Sequence, residues 1–335
     1  EIYTLSLHDA LPICVSALKA DGTVWSFGDN SVGQLGNGTV GGNSEFPVQV
    51  MRLEIGDENG NGTIGTDAIK LTDIVSIATG YDHSLALDKY GRVFAWGYGR
   101  LGALGDDKSG DNNVAPLAKQ VVGVDYSSNN PDSRLKNIVQ IGAAGYRDYA
   151  ATSFAMDREG NLYAFGRNYC QALDPSIGGD TIIKIPVNVS KNNGTIGKIR
   201  SLVADTVAHH SGAVLDDGSL RSWGYPGYGA KGDGVDSGYR AVAPVLNKQV
   251  IFATFGWHNC MAITIDGEVY TWGWNGEGGL GNNAATLNVP TKVEALSKDA
   301  EGNFPIQGTV TRGYSTMIKT DGKVYVTGSA GYRYR

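Results

Sequence analysis

Cysteine is scarce in this chain of 335 residues: Cys14, Cys170 and Cys260 are odd in number and far apart, which excludes a disulfide framework and a C-x-x-C zinc or redox site and leaves packed thiols. No apolar run approaches the roughly 18 residues that a membrane-crossing helix needs, so no span is expected. Basic runs are missing as well. With 28 Lys and Arg against 34 Asp and Glu, the net charge of -6 excludes the clustered cationic surface that grips a phosphate backbone, and no nucleic-acid partner is expected. Proline numbers only ten, but glycine reaches 48, and together with 17 Tyr and six Trp it points to many tight turns between short strands.

One glycine cluster imitates a nucleotide site. In GEGGLG, Gly276, Gly278 and Gly281 have the G-x-G-x-x-G spacing of a dinucleotide-binding turn. That turn must open a helix, yet NNAATLNVPTKV follows, without a 3.6-residue apolar period and with Pro290 inside it. The same spacing recurs at Gly97, Gly99, Gly102 and at Gly227, Gly229, Gly232. The cluster is therefore part of a repeat, and no cofactor is expected.

Alignment on a glycine turn gives six copies: ADGTVWSFG, KYGRVFAWG, REGNLYAFG, DDGSLRSWG, IDGEVYTWG and TDGKVYVTG, with turn glycines Gly22, Gly91, Gly160, Gly218, Gly267 and Gly322. Two residues on stands an aliphatic column of Val24, Val93, Leu162, Leu220, Val269 and Val324, which is expected to face the core. Three further on come Phe27, Trp96, Phe165, Trp223 and Trp272, with Thr327 as the exception. A short apolar stretch precedes each turn (VSALKA, SLALDK, SFAMDR, SGAVLD, CMAITI, STMIKT), so each copy predicts a β-hairpin. A third strand lies upstream, as in IVSIATG, and a fourth is expected in segments such as residues 118–124. Four short antiparallel strands in units of about 50 residues predict an all-β fold of β-propeller blades.

The stretches HSLALDKYGRVFAWGYGRLGALG and DGTVWSFGDNSVGQLGNG resemble the regulator of chromosome condensation repeat, and the resemblance runs from Cys14 onward. It implies a seven-bladed propeller. This chain departs from the pattern: its first and last copies are truncated, and Gln171 and Asp174 replace the trailing glycines of the third. Inserts separate copies near residues 39–70, 106–137 and 174–198. Six copies with ragged ends point to a missing blade or an incomplete ring. EIYTLSLHDALPI lacks the basic region and cleavage site of a signal peptide and is similar to a translated adaptor scar, so residues 1–13 are set outside the fold and residues 14–335 are read as one domain.

Candidate sites are few. In GDENGNGTIGTDAI, Asp57, Asn59, Asn61 and Thr63 match a calcium loop, but Ala68 stands where the bidentate acid belongs, so a Gly/Asn loop is favoured and no metal is expected. His83 and His210 share one column whose other members are Cys14, Thr152, Asn259 and Tyr314, which speaks for structural turn roles; His209, His210 and His258 are not expected to meet. No Ser-His-Asp or Cys-His set recurs, so no enzyme is expected. Aromatics do gather. In an antiparallel hairpin, residues equally far from the turn lie side by side, so Tyr81 is expected near Tyr98 and Trp257 near Trp274. Tyr169, Tyr225 and Tyr228 fall on the same rim, opposite charged turns that carry Lys89, Arg158 and Glu268. That rim is the expected docking face for a protein partner of a monomeric, non-catalytic scaffold. The resemblance implies two alternatives, a nucleotide exchange factor for a small GTPase or a secreted bacterial inhibitor or surface-binding protein; the compartment is open, with a lean toward secretion.

Overall fold

The computed structural model describes residues 2–6, 14–55, 64–146, 149–192, 196–204, 209–235, 240–310 and 314–328. They form six sheets, antiparallel throughout except for one parallel strand pairing, Ala118↔Arg52, in the second. The first holds β1 (Ile2–Ser6), β2 (Cys14–Lys19), β3 (Val24–Gly28) and β4 (Ser44–Gln49). The second holds β7 (Ile74–Thr79), β8 (His83–Asp88), β9 (Val93–Tyr98) and β10 (Val114–Gln120), widened beside β10 by the hairpin of β5 (Met51–Ile55) and β6 (Ile64–Lys70). The third holds β11 (Ile138–Tyr146), β12 (Ala150–Asp157), β13 (Leu162–Arg167) and β14 (Ile182–Asn188), followed by the single helical turn α1 (Val189–Asn192). The fourth holds β15 (Ile199–Ala204), β16 (His210–Leu215), β17 (Leu220–Gly224) and β18 (Arg240–Leu246). The fifth holds β19 (Val250–Phe255), β20 (Asn259–Thr264), β21 (Val269–Trp274) and β22 (Thr286–Lys292), and the sixth holds β23 (Pro305–Val310), β24 (Tyr314–Lys319) and β25 (Val324–Gly328). Two compact units result: Glu1–Tyr169 with Asp180–Asn192, and Cys170–Gly179 with Asn193–Arg335.

Each predicted hairpin is present, with registers such as Leu87↔Val93 and Ile263↔Val269. All six turn glycines have positive φ, between 77° and 84°, which a side chain would oppose. Aspartates fix the turns. Asp217 Oδ1 accepts the Ser219 N–H at 2.9 Å, and Asp157 Oδ1 accepts those of Glu159 and Asn161, both at 2.9 Å. Each fourth strand carries one proline, Pro47, Pro116, Pro186, Pro244 and Pro290, a residue that offers no N–H to a further neighbour and so suits the outer strands β4, β14, β18 and β22; β10 alone is flanked, by β5, and pairs with it at Ala118↔Arg52.

Three expectations need revision. The fourth strand of the second sheet is residues 114–120 rather than 118–124, because Val121 and Val122 belong to the buried return of the chain, where the Val121 N–H donates to Val93 O at 2.9 Å. The segments read as inserts contain β4, β5, β6, β10 and β14. Ile2–Ser6, set outside the fold, pairs with β2 from Ile2↔Lys19 to Ser6↔Ser16. The aliphatic column also divides: Val24, Val93, Leu162, Leu220 and Val269 are 0% exposed, whereas Val324 is 63% exposed. In the first, second and fifth sheets a returning valine (Val50, Val121, Val293) donates to the column residue's carbonyl and covers it; the sixth sheet has no fourth strand or return among the described residues.

The aromatic column does more than fill space. Trp96 Nε1 donates to Gln34 O at 2.9 Å, Trp223 Nε1 to Ala172 O at 2.8 Å and Trp272 Nε1 to Ala230 O at 3.0 Å. Each acceptor lies in the loop that follows the hairpin of the preceding copy, glycine-rich around Gln34 and Ala230 but not around Ala172, so the indole N–H ties one copy to the one before it. Ser153, Cys260 and Ser315, from the strand before the turn, donate to the matching carbonyls of Ala103, Ala230 and Gly279 at 2.8, 3.3 and 2.6 Å. The GEGGLG segment is one of these acceptor loops. Asn275 shapes it, its Oδ1 accepting the Leu280 N–H at 2.8 Å.

Candidate functional site

The second unit gathers aromatic and histidine rings at the loops that leave its inner strands. Tyr225 and Trp274 each follow a W-G step, and their N–H groups donate to His209 O at 2.9 Å and His258 O at 2.7 Å. These bonds hold the end of each hairpin against the residue that precedes its partner strand. Tyr228 sits in the one-turn 3-10 helix Gly227–Gly229 with φ 58° and ψ 22°. A left-handed backbone is costly for a bulky residue, of order 1–3 kcal/mol, and is kept where the surroundings enforce it.

His258 is the hub. Its ring lies 4.8 Å from Tyr228, 5.7 Å from Trp257 and 5.8 Å from Tyr225, tilted by 41°, 46° and 46°. His209 stacks on it at 5.8 Å and 16°, and itself meets Tyr225 at 6.0 Å. Tyr225, Trp257, His258 and His209 are half-buried, while Tyr228 is 52% exposed and forms the open side of the group. Burial raises the Tyr225 phenol, with smaller contributions from Tyr228 and Cys170, so it stays a neutral donor at physiological pH. Trp274 is half-buried; its indole lies over Gly276, where a Cβ would come within 2.3 Å of the ring.

The other predicted residues lie in the first unit. Tyr81 and Tyr98 line one small pocket with Arg100 and Leu101, and Tyr98 Oη bonds Asp111 at 3.2 Å, which Arg100 also holds at 2.9 Å. Tyr169 carries the Arg167 guanidinium over its ring at 5.7 Å, and Arg167 grips Asp180 through Nε and Nη2. The calcium-loop residues Asp57, Asn59, Asn61 and Thr63 fall outside the described residues.

The expectation that His209 and His258 do not meet is corrected by their stacked rings. The signal was available: both stand nine residues before a turn glycine, in consecutive copies. His83 and His210 are buried between strands rather than placed at turns, bonding Ser153 Oγ at 3.0 Å and Cys260 Sγ at 3.2 Å. Among the described residues no group of three or more His, Cys, Asp or Glu is placed to hold a metal ion. What the ring cluster offers is flat, polarizable, partly desolvated area around one exposed tyrosine.

Comparison with known proteins agrees with the repeat. Two family models, each described as the regulator of chromosome condensation (RCC1) repeat, match residues 21–87 with 266–307 and residues 74–103 with 250–278. The chain is an RCC1-like repeat protein. Human E3 ubiquitin-protein ligase HERC2 is 29% identical over 286 residues, which is 84% of this chain and 5% of that protein. The ultraviolet-B receptor UVR8 of Arabidopsis thaliana is 26% identical over 315 residues, 92% of this chain and 61% of that one. The chain thus spans a small part of HERC2 and under two thirds of UVR8. Among solved structures, human WBSCR16 matches with TM-score 0.72 and 20% identity over 98% of this chain and 76% of its own. Yeast RCC1 (Prp20), solved bound to Kap60, matches with TM-score 0.57 and 20% identity over 98% of this chain and 80% of its own. At such identities the likeness speaks for the fold: the sheets of this RCC1-like chain are propeller blades.

Proposed function

We propose that this RCC1-like chain is a non-catalytic scaffold that binds a protein partner through its aromatic loop face, with Tyr228, Tyr225 and Trp257 around His258 as the anchor. The observation that carries the reading is the left-handed, half-exposed Tyr228 seated on His258. Exposed aromatic rings set in a partly desolvated surround are the side chains that dominate protein interfaces, where truncating one commonly costs about 2 kcal/mol or more. Yeast RCC1, which shares the fold, was solved in complex with a protein, Kap60. In this reading the scaffold acts as a monomer, with Trp274 as a further aromatic of the second unit and Tyr81, Tyr98 and Tyr169 as candidate partner-binding aromatics of the first unit.

Affinity capture followed by reconstitution with the purified partner tests this. Tyr228→Ala and Trp257→Ala are expected to weaken binding about thirtyfold, the equivalent of about 2 kcal/mol, with circular dichroism unchanged. Equal affinity for wild type and both variants would remove the aromatic face from the interface.

A further inference from the structure

In the sixth sheet β25 pairs with β24 alone, so its other edge carries no strand among the described residues. The side chains beside that edge are apolar and open: Val324 and Val326 are 63% and 66% exposed, and Ile318, the cross-strand partner of Val324, is 36% exposed. In the five other hairpins the equivalent pairs, such as Ile263 with Val269, are all buried. An open strand edge flanked by exposed valines is a template for another strand unless proline, charge or a bulge blunts it. β25 (VYVTG) contains no proline and no charge, and its register with β24 runs without a shift.

The other sheets show what such an edge takes. Each third strand there carries a fourth strand with one proline, and in three of the five the surrounding sequence is apolar-Pro-x-x-Val: Phe46-Pro47 to Val50, Ile185-Pro186 to Val189 and Val289-Pro290 to Val293. The closing valine does the covering. Val50 and Val293 donate their N–H groups to Val24 O and Val269 O at 2.9 and 2.8 Å, and their side chains join the buried clusters that hold Leu18 with Val24 and Ile263 with Val269. Val269 turns its N–H the same way, donating to Ser297 Oγ at 2.9 Å, so both backbone groups of this column point away from the hairpin. Backbone direction alternates along a strand, which aims the N–H and C=O of both Val324 and Val326 at the open edge.

We propose that the β25 edge docks an extended segment of another protein with the pattern apolar-Pro-x-x-Val. The segment adds as an antiparallel fourth strand, its main chain bonding Val324 and Val326 and its closing valine covering Val324 and Ile318. Main-chain pairing supplies the affinity and the valine the selectivity. Among the described residues all five fourth strands are engaged in their own sheets, so none is available to β25. The edge uses none of the rings around His258, and docking here does not rest on the aromatic face.

The test uses the full chain and a fluorescent peptide TLNVPTKV, the sequence of residues 286–293. Two control peptides carry the same residues in scrambled order, or an N-methyl group on the closing valine that removes the N–H meant for Val324 O. Saturable binding is expected in fluorescence anisotropy, at least about tenfold weaker for either control. Val326→Pro deletes an edge N–H while leaving the β24 pairing, and Val324→Asp/Val326→Asp puts charge on the covered face. Each should lose about tenfold in affinity, with thermal melts matching wild type because both positions are exposed. Bound peptide should also slow hydrogen exchange over residues 323–328 and leave Val269–Trp274 unaltered. Trp257→Ala should not change the affinity, so failure here is distinct from failure at the aromatic face. The absence of saturable binding, equal affinity of the N-methyl peptide, indifference to the β25 variants, or self-association of the chain that Val326→Pro abolishes would overturn the proposal.

Discussion

One carbonyl in the second unit allows a quantitative test of how successive copies are tied together. Ala230 O accepts Trp272 Nε1 at 3.0 Å and Cys260 Sγ at 3.3 Å, and all three residues are 0% exposed. A carbonyl has two acceptor sites, so deleting either donor leaves the other in place. Trp272→Phe keeps the edge contact with Phe255, now at 6.0 Å and 81°, but loses one hydrogen bond and part of the indole volume, a cost of about 2 kcal/mol. Cys260→Ala loses the thiol donor and its contact with His210 Nε2 at 3.2 Å, about 1 kcal/mol. The double variant leaves a buried carbonyl without a side-chain donor, which adds about 1–3 kcal/mol. Urea unfolding followed by circular dichroism should therefore give a double-variant loss exceeding the sum of the singles by at least about 1 kcal/mol, with the m-value unchanged. Additivity within about 0.3 kcal/mol would show that the shared acceptor is not what links these copies.

Two further outcomes follow from glycine placement and charge. Gly36 has φ +64° and a Cβ there would lie 2.8 Å from Trp96 Cδ1, whereas Gly41, φ +78°, has open space around it; Gly36→Ala should cost about 2 kcal/mol more than Gly41→Ala in the same unfolding assay. The Glu268 carboxyl is held down at about 2 by hydrogen bonds from Lys248 and Tyr270 and, more weakly, Lys292. Because its folded value lies below its unfolded one, it stabilises the fold above the ordinary Glu range and loses that contribution as pH falls toward about 2. Glu268→Gln should thus be less stable than wild type near neutrality, with the gap closing between about pH 4.5 and pH 2; a gap that stays constant with pH would show that charge is not its source.

Much of the fold was readable because the repeat encodes it locally. A turn glycine with positive φ, an aliphatic residue two later and an aromatic three beyond fix the hairpin and its register, as Leu87↔Val93 shows. The fourth strands were harder to read. Their prolines and exposed faces, such as Phe46 at 77% exposure, look like loop composition, and only pairing with the third strand makes them regular. Val324 shows the opposite limit, since the same aliphatic letter is buried or exposed according to what returns over it. The nearness of Tyr81 and Tyr98, which line one pocket, was legible, because hairpin symmetry places them side by side. The histidine hub was not, because His209 and His258 meet through the lateral neighbourhood of two copies, which only a column-by-column comparison reveals.

The most direct measurement on the aromatic face is site-specific photo-crosslinking from position 228, with position 314, a second exposed tyrosine on another sheet, as control. With purified partner present, a photoreactive phenylalanine analogue replacing Tyr228 should give a single crosslinked species that disappears in the Trp257→Ala background, while the probe replacing Tyr314 gives none. Equal crosslinking from both positions, or a Tyr228 crosslink indifferent to Trp257→Ala, would contradict the account.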